Sequence, residues 1–459
     1  MSKNSLDFTE GSIPKKLLLF SWPIFLTNML QASYQIIDSL WVGNLLGAHA
    51  LGAVALSSTV IFTVLSFIIG LNNATLTVLS QRKGAKDEEG LREALNAFVV
   101  VLGSLSILLG IFGFVASPWI LRLLGTPTDI LPLAETYLKV NFLGIVFLFG
   151  YNFIGTVLRA IGDSKTPIRF VVVAVVMNII LSPIMISWMD MGILGAGLST
   201  ILSQSFAFFF GLLYCLWRAR VPFSKPYIPS KKYLGMVFKM GLPGGLQMMA
   251  ISGGVLAIMS VVTSFGEEVV AGMGAAQRIE SIIMLPAITI GSAVNSMAGQ
   301  NIGAKFWHRV HSVALSGVSL ILIVSLILST GIFLGGEALT LLFIQEEGAV
   351  EFSSSYLRTI AFFYPFLCIS FVINGVIRAA GAMFQVLVLN LVSFWVLRYP
   401  ITYVLSGFMG EKGIAYGIGV SLMISSFLNI LYYYFGKWKE ARIFADQATE
   451  EEHENNNHT

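Results

Sequence analysis

The chain carries apolar runs of about twenty residues or more, such as residues 98–120, 315–334 and 386–405. Runs of that length cross a bilayer core of about 30 Å as α-helices. The short alternating segments of an outer-membrane barrel are absent. Charged residues make up only 12% of the chain, against about 25% in a soluble domain, too few to coat a water-soluble globule. Twelve spans are predicted, near 15–43, 50–79, 93–118, 131–158, 167–189, 192–217, 233–264, 269–299, 309–335, 353–379, 383–408 and 413–437. The fold class is therefore an all-α membrane protein.

The polar remainder sets the orientation. Lys15, Lys16, Arg82, Lys83, Arg159, Lys165, Arg218, Lys231, Lys305, Arg309 and Lys437 fall in alternate loops or at their edges. The intervening loops hold acids instead, among them Asp129, Asp190, Glu267, Glu268, Glu346 and Glu347. The positive-inside rule places both termini and the central loop in the cytoplasm of a cell (inner or plasma) membrane, and an even number of spans agrees. This pattern also accounts for the net charge of +3 without a nucleic-acid partner. Residues 1–14 lack the layout of a cleaved signal peptide, and residues 439–459 read as a disordered cytoplasmic tail in which His453 and His458 are solvated. Cys215 and Cys368 form no disulfide or metal pattern.

The chain repeats itself. Gln-Arg-Lys-Gly-Ala-Lys at 81–86 returns as Gln-Asn-Ile-Gly-Ala-Lys at 300–305, Val-Leu-Arg-Ala-Ile-Gly at 157–162 as Val-Ile-Arg-Ala-Ala-Gly at 376–381, and Tyr137-Leu138-Lys139 as Tyr356-Leu357-Arg358, all at an offset of 219. Pro23 and Pro243 match at 220. The repeat predicts two pseudo-symmetric six-helix lobes, 15–218 and 233–438, joined by a cytoplasmic linker at 219–232. Six is even, so both lobes enter the membrane in the same direction and are related by an axis along its normal. Two such lobes suit rocking around a shared cavity, as in secondary transporters.

Polar groups inside spans are costly and point to function. Asp38 lies at the end of a stripe formed by Thr27, Asn28, Gln31, Tyr34 and Gln35, at helical spacing. The stripe argues for a wet cavity. The competing reading puts Asp38 at the outer headgroups, since it lies 22 residues beyond Lys16, about 33 Å along a helix. Asn178 with Ser182, and Thr200 with Gln204, are i,i+4 pairs on spans 5 and 6; hydrogen bonding between helices would also explain them. Tyr137 and Asn152 of span 4 complete the expected cavity set. Pro23 should kink span 1, as plain packing or as a hinge. Glu280 is read as neutralised by Arg278, and Asp38 has no repeat partner, because its counterpart is Ala257.

Pro23, the Gln31, Tyr34 and Asp38 pattern, Trp-Val-Gly at 41–43, the two Gly-Ala-Lys loops and Leu-Arg-Ala-Ile-Gly-Asp-Ser-Lys-Thr-Pro at 158–167 together resemble the multidrug and toxic compound extrusion antiporters, over nearly the whole chain. The resemblance implies export of organic cations and amphipathic drugs in exchange for H⁺ or Na⁺, with Asp38 as coupling carboxylate assisted by Asn178 and Thr200. The span 5 segment reads Asn178-Ile-Ile-Leu-Ser182-Pro183, with Ser where many prokaryotic members have a second acid. One acid among neutral neighbours suits a proton better than Na⁺, which gains from several oxygen ligands. H⁺ is therefore the expected coupling ion, Na⁺ the alternative, and the DNA-damage-inducible type the expected branch.

No catalytic residue, metal site or cofactor is expected. The P-loop, His-Glu-x-x-His and Gly-x-Ser-x-Gly motifs are absent. A flippase for anionic lipid-linked sugars would need a basic cavity, whereas apart from the cations of the basic loops and their edges, Arg169, Lys239 and Arg378 included, only Lys139, Arg278, Arg358 and Arg398 fall within predicted spans. A sensor or scaffold would not need the polar stripe. The repeat builds a two-lobed unit in one chain, so it is expected to act as a monomer in the lipid bilayer.

Overall fold

The computed structural model describes residues 5–219, 221–441 and 443, and every regular element among them is helical. The greater part of the predicted tail, with His453 and His458, lies outside the described residues. The first lobe holds α1 (Ile13–Leu46), α2 (Ala48–Gly84), α3 (Glu88–Leu123), α4 (Leu131–Leu143), α5 (Ile145–Ala160), α6 (Lys165–Pro183) and α7 (Gly192–Tyr214). The second holds α8 (Lys231–Val262), α9 (Glu267–Gly303), α10 (Trp307–Leu341), α11 (Glu347–Ala361), α12 (Tyr364–Ala379), α13 (Met383–Leu391), α14 (Tyr399–Met409) and α15 (Lys412–Phe435). Most are apolar around much of their circumference, as helices between lipid and a helical core must be.

Among the described residues, nine helical segments are long and apolar enough to cross a membrane, and the bent pairs α4–α5 and α11–α12 raise the number to eleven. The twelfth span is α1. Its 34 residues reach about 51 Å, but the polar stripe lowers its apolarity. Several helices outrun the predicted bounds, because hydropathy marks the lipid-facing run and not the polar turns beyond it.

Two predicted spans require correction. Residues 131–158 and 353–379 are not single straight helices but pairs bent by 49° and 55°. The breaks fall at Gly144 and at Phe362-Phe363, the same place in each repeat. Gly144 is a poor helix former, and Ile201 occupies the space where its Cβ would stand, at 2.3 Å. In the second lobe Pro365 opens α12 without an N–H to continue the ladder. Proline also accompanies widened turns: a π-helical turn, Ile184–Trp188, follows Pro183, and another, Val392–Arg398, precedes Pro400.

The lobes exchange helix ends on the face that carries the basic loops. Phe8, Leu17, Phe20 and Ile24 pack with Val294, Met297 and Val313 of the second lobe. Reciprocally, Tyr233, Val237 and Met240 of α8 pack with Leu71, Val78 and Phe98 of the first. Pro23 and Pro243 lie in α1 and α8 where these crossed segments end. A reciprocal clasp lies beside them: Gln81 Nε2 donates to the Ala379 carbonyl at 2.6 Å, and Gln300 Nε2 to the Ala160 carbonyl at 2.8 Å. Both donors and both acceptors are related by the 219-residue offset, so the repeated Gln-x-x-Gly-Ala-Lys loops are the two halves of one lock.

Glycine makes the lock close-fitting. A Cβ on Gly84 would stand 1.8 Å from the Gln300 carbonyl oxygen, and one on Gly303 1.9 Å from that of Gln81. Gly84→Ala should therefore force α2 and α9 apart and destabilise the protein by about 1–3 kcal/mol. Gly103→Ala, with open space around its Cβ, should be neutral or stabilising by about 0.5–1 kcal/mol. Thermal unfolding of the two purified variants, compared with wild type, checks the contrast.

Candidate functional site

Asp38 is buried inside the first lobe, with 6% of its surface exposed, so its carboxylate is packed against protein. Taking an ionised carboxylate out of water costs several kcal/mol unless hydrogen bonds replace the lost hydration. Three side chains from three other helices supply them. Tyr137 Oη of α4 donates to Asp38 Oδ2 at 3.0 Å. Asn178 Nδ2 of α6 and Thr200 Oγ1 of α7 donate to Oδ1 at 3.4 and 3.3 Å. A second ring of contacts fixes these donors: Asn178 Nδ2 also donates to Tyr34 Oη at 3.2 Å, and Tyr34 Oη donates to the Thr200 carbonyl at 3.4 Å. Asn178 Oδ1 is buried with no hydrogen-bond partner among the described residues.

The local sequence explains how the four groups meet. Tyr34 and Asp38 are one helical turn apart on α1. Asn178 sits on the buried face of α6 with Ala174 and Ser182. Gly197 lets α7 approach α4, where Val140 fills the space at 2.8 Å from a would-be Cβ, and this brings Thr200 and Tyr137 to the same depth.

The remaining cavity candidates lie apart from the carboxylate. Gln31 Nε2 donates to Tyr151 Oη at 3.4 Å, deeper along the stripe. Ser182 pairs with Ser199 at 2.9 Å. Asn152 Nδ2 donates to the Leu148 carbonyl of its own helix at 2.8 Å. Gln204 is half-buried one turn beyond Thr200, and Gln35 is exposed on another face of α1.

Glu280 departs from the sequence reading. Its Oε1 accepts from Tyr356 Oη at 3.1 Å and Tyr364 Oη at 3.0 Å, whereas Arg278 points outward and is exposed. Residues two apart on a helix do not face one another, which is why Arg278 cannot neutralise it. Tyr356 is the repeat partner of Tyr137. Each lobe thus uses the same tyrosine to hold a carboxylate, but the carboxylate comes from α1 in one lobe and α9 in the other. The repeated Tyr-Leu-(Lys/Arg) triplet was the signal for it.

If these contacts hold the carboxylate, removing a donor should matter and removing a bystander should not. A hydrogen bond to a charged group is worth about 1.5–3 kcal/mol, and 1.4 kcal/mol is about tenfold. Tyr137→Phe and Asn178→Ala should each lower the unfolding free energy by about 1.5–3 kcal/mol, and Ser182→Ala by less than either. Thermal unfolding of the purified variants, compared with wild type, checks this.

Comparison with known proteins agrees with this architecture. The family model MatE matches twice, over residues 23–184 and 243–404, each match beginning at one of the paired prolines. The chain is 57% identical over 441 residues to the probable multidrug resistance protein YpnP of Bacillus subtilis, covering 96% of this chain and 99% of that protein. It is 28% identical to the probable multidrug resistance protein YoeA of the same organism, over 95% of this chain and 96% of that one. Among solved structures, a multidrug resistance MATE family transporter in an outward-facing conformation superposes with a TM-score of 0.89 at 22% identity, covering 96% of this chain and 99% of that one. A MOP superfamily transporter from Pyrococcus furiosus, described as having a binding pocket of reversed polarity, superposes with a TM-score of 0.88 at 23% identity, over 95% and 98% of the two chains. Twelve helical spans in two matched repeats, together with a close relative along nearly the full length, establish that this chain belongs to the MatE family of multi-pass membrane transporters.

Proposed function

We propose that the protein exports organic cations and amphipathic drugs in exchange for protons, with Asp38 as the group that binds either the proton or the charge of the drug. The observation that carries this reading is the convergence of three hydrogen-bond donors on one buried carboxylate. Tyr137, Asn178 and Thr200 present hydrogens, not lone pairs. That arrangement holds an anion ready for a proton and is poorly suited to a hard cation that needs several oxygen ligands.

The cycle runs as follows. With the lobes open to the cytoplasm, ionised Asp38 attracts a cationic drug to the first lobe. After the lobes rock, Asp38 takes a proton from outside, its charge is lost and the drug leaves. Proton and drug must oppose each other thermodynamically, and by linkage the opposition is mutual. The positive-inside orientation makes the basic face cytoplasmic. Hydrogen bonds between the lobes run from mid-depth, where Asn28 Nδ2 donates to Thr289 Oγ1 at 3.0 Å, through Thr77 Oγ1, which donates to Asn295 Oδ1 at 3.0 Å, to the Gln81 and Gln300 clasp on that face, which supports reading this conformation as open to the outside.

Sodium coupling is the second reading, and the unpartnered Asn178 Oδ1 favours it as a further oxygen beside Asp38. Uptake of a fluorescent cation into inverted vesicles separates the two. A pH gradient alone should drive uptake in wild type, a Na⁺ gradient alone should not, and Asp38→Asn should abolish the response. Uptake driven by Na⁺ alone would replace the proton in this scheme, and no cation uptake under either gradient would overturn it.

A further inference from the structure

We infer that residues 5–12 form a latch that holds the two lobes closed on the basic face and leaves its groove before they part there. This rests on the rocking-lobe reading above, which the gradient assay tests separately.

The strap touches both lobes. Leu6 N donates to the Gly162 carbonyl at 3.0 Å, at the end of α5 in the first lobe. Gly162 has φ of +90°, and a Cβ there would stand 2.2 Å from the Leu6 oxygen, so the strap runs directly over glycine backbone. Two residues on, the grip passes to the second lobe. Phe8 is fully buried and packs edge-to-face on Phe20 with centroids 4.8 Å apart, among Met297, Ala298, Val310 and Val313. Its N–H donates to Gln300 Oε1 at 3.4 Å, and its carbonyl accepts from Asn301 Nδ2 at 3.1 Å. Arg309 Nη2 donates to the carbonyls of Phe8, Glu10 and Gly11, each at 3.1 Å, while its Nε donates to Asn301 Oδ1 at 3.0 Å. The strap is shaped for this grip by its own contacts: Asp7 Oδ1 accepts from the Thr9 amide and hydroxyl at 2.9 and 2.6 Å, and Lys16 Nζ donates to the Asp7 and Glu10 carbonyls.

Two features make this more than an anchor for α1. Gln300 serves the strap and the lobe clasp with the two ends of one amide: Oε1 accepts from Phe8, and Nε2 donates to Ala160 across the interface. Parting the lobes would break the clasp and pull Gly162 away from the residues gripping Phe8 at the same time. The receptor is also unique to one repeat. At the offset of 219, Arg309 corresponds to Gly90 and Asn301 to Arg82, and Arg82 is engaged instead with Asp87 and Tyr233. Apolar burial of a phenylalanine together with charge-assisted hydrogen bonds from a guanidinium is strong enough to bias a two-state equilibrium, yet it involves a segment short enough to release.

The test is the distance across the basic face. Spin labels at Glu89→Cys and His308→Cys, both exposed, report lobe separation in the full-length protein in lipid nanodiscs. Wild type should give mainly the short distance. Arg309→Met, and separately deletion of residues 2–10, should raise the ratio of long to short distance about tenfold or more. Adding a synthetic peptide of residues 1–14 to the deletion variant should restore the short distance, a rescue that an anchoring role would not produce. Should the deletion fail to fold, Arg309→Lys, which keeps the charge but loses the fork, replaces it and should give an intermediate shift. An unchanged distance distribution in a folded variant overturns the latch, whatever the gradient assay shows.

Discussion

A carboxylate buried among the helices is the constraint around which the first lobe is built. Asp38 needs donors to replace water, and the donors must come from helices, because loops cannot stand at that depth against lipid. This explains the convergence of α1, α4, α6 and α7. It also gives a role to features that are otherwise oddities: Gly197 at the α4–α7 contact, and the break at Gly144, which lets a single span change direction after delivering Tyr137. The polar stripe makes α1 the least lipid-compatible span, and this helix accordingly runs along the boundary between the lobes.

A second organising fact is exchange. The ends of α1 and α8 on the basic face pack in the opposite lobe, and the prolines at 23 and 243 lie where each helix returns to its own. A helix that carries the carboxylate in one lobe and is anchored in the other links events at Asp38 to the relation between lobes without requiring a long chain of side-chain contacts. The Gln81 and Gln300 clasp is symmetric, whereas the strap is not. The site is asymmetric in the same way, since Tyr137 and Tyr356 are repeated but their carboxylate partners arrive from different helices.

Much of this was legible in the sequence. Apolar runs, loop charge and the 219-residue offset sufficed for the all-α architecture and its two repeats, because lipid and chain duplication both leave periodic marks. Asp38 was conspicuous as an acid with no adjacent base, and the resemblance pointed to Asn178 and Thr200 beside it. The bent spans were not legible: hydropathy reads composition, and Gly144 sits in an apolar run that looks continuous. Gln35 shares the spacing of the stripe but not its inward edge, because i−3 spacing spans a wide arc of the helix and only packing decides which edge faces inward. Glu280 has Arg278 as a near neighbour in sequence, while its partners lie 76 and 84 residues away. Residues 5–12 carry no mark in the sequence, because a short polar terminus has no periodic signal and its meaning lies entirely in what it touches.

The central claim is that one carboxylate serves proton and drug in turn. The most direct measurement is proton release when a cationic drug is added to purified protein in weakly buffered solution, at a pH where the site is partly protonated. The account predicts protons released in proportion to drug bound, and none from Asp38→Asn although the variant remains folded. Release that persists undiminished in Asp38→Asn, or drug binding by wild type with no proton released at any pH, would contradict it.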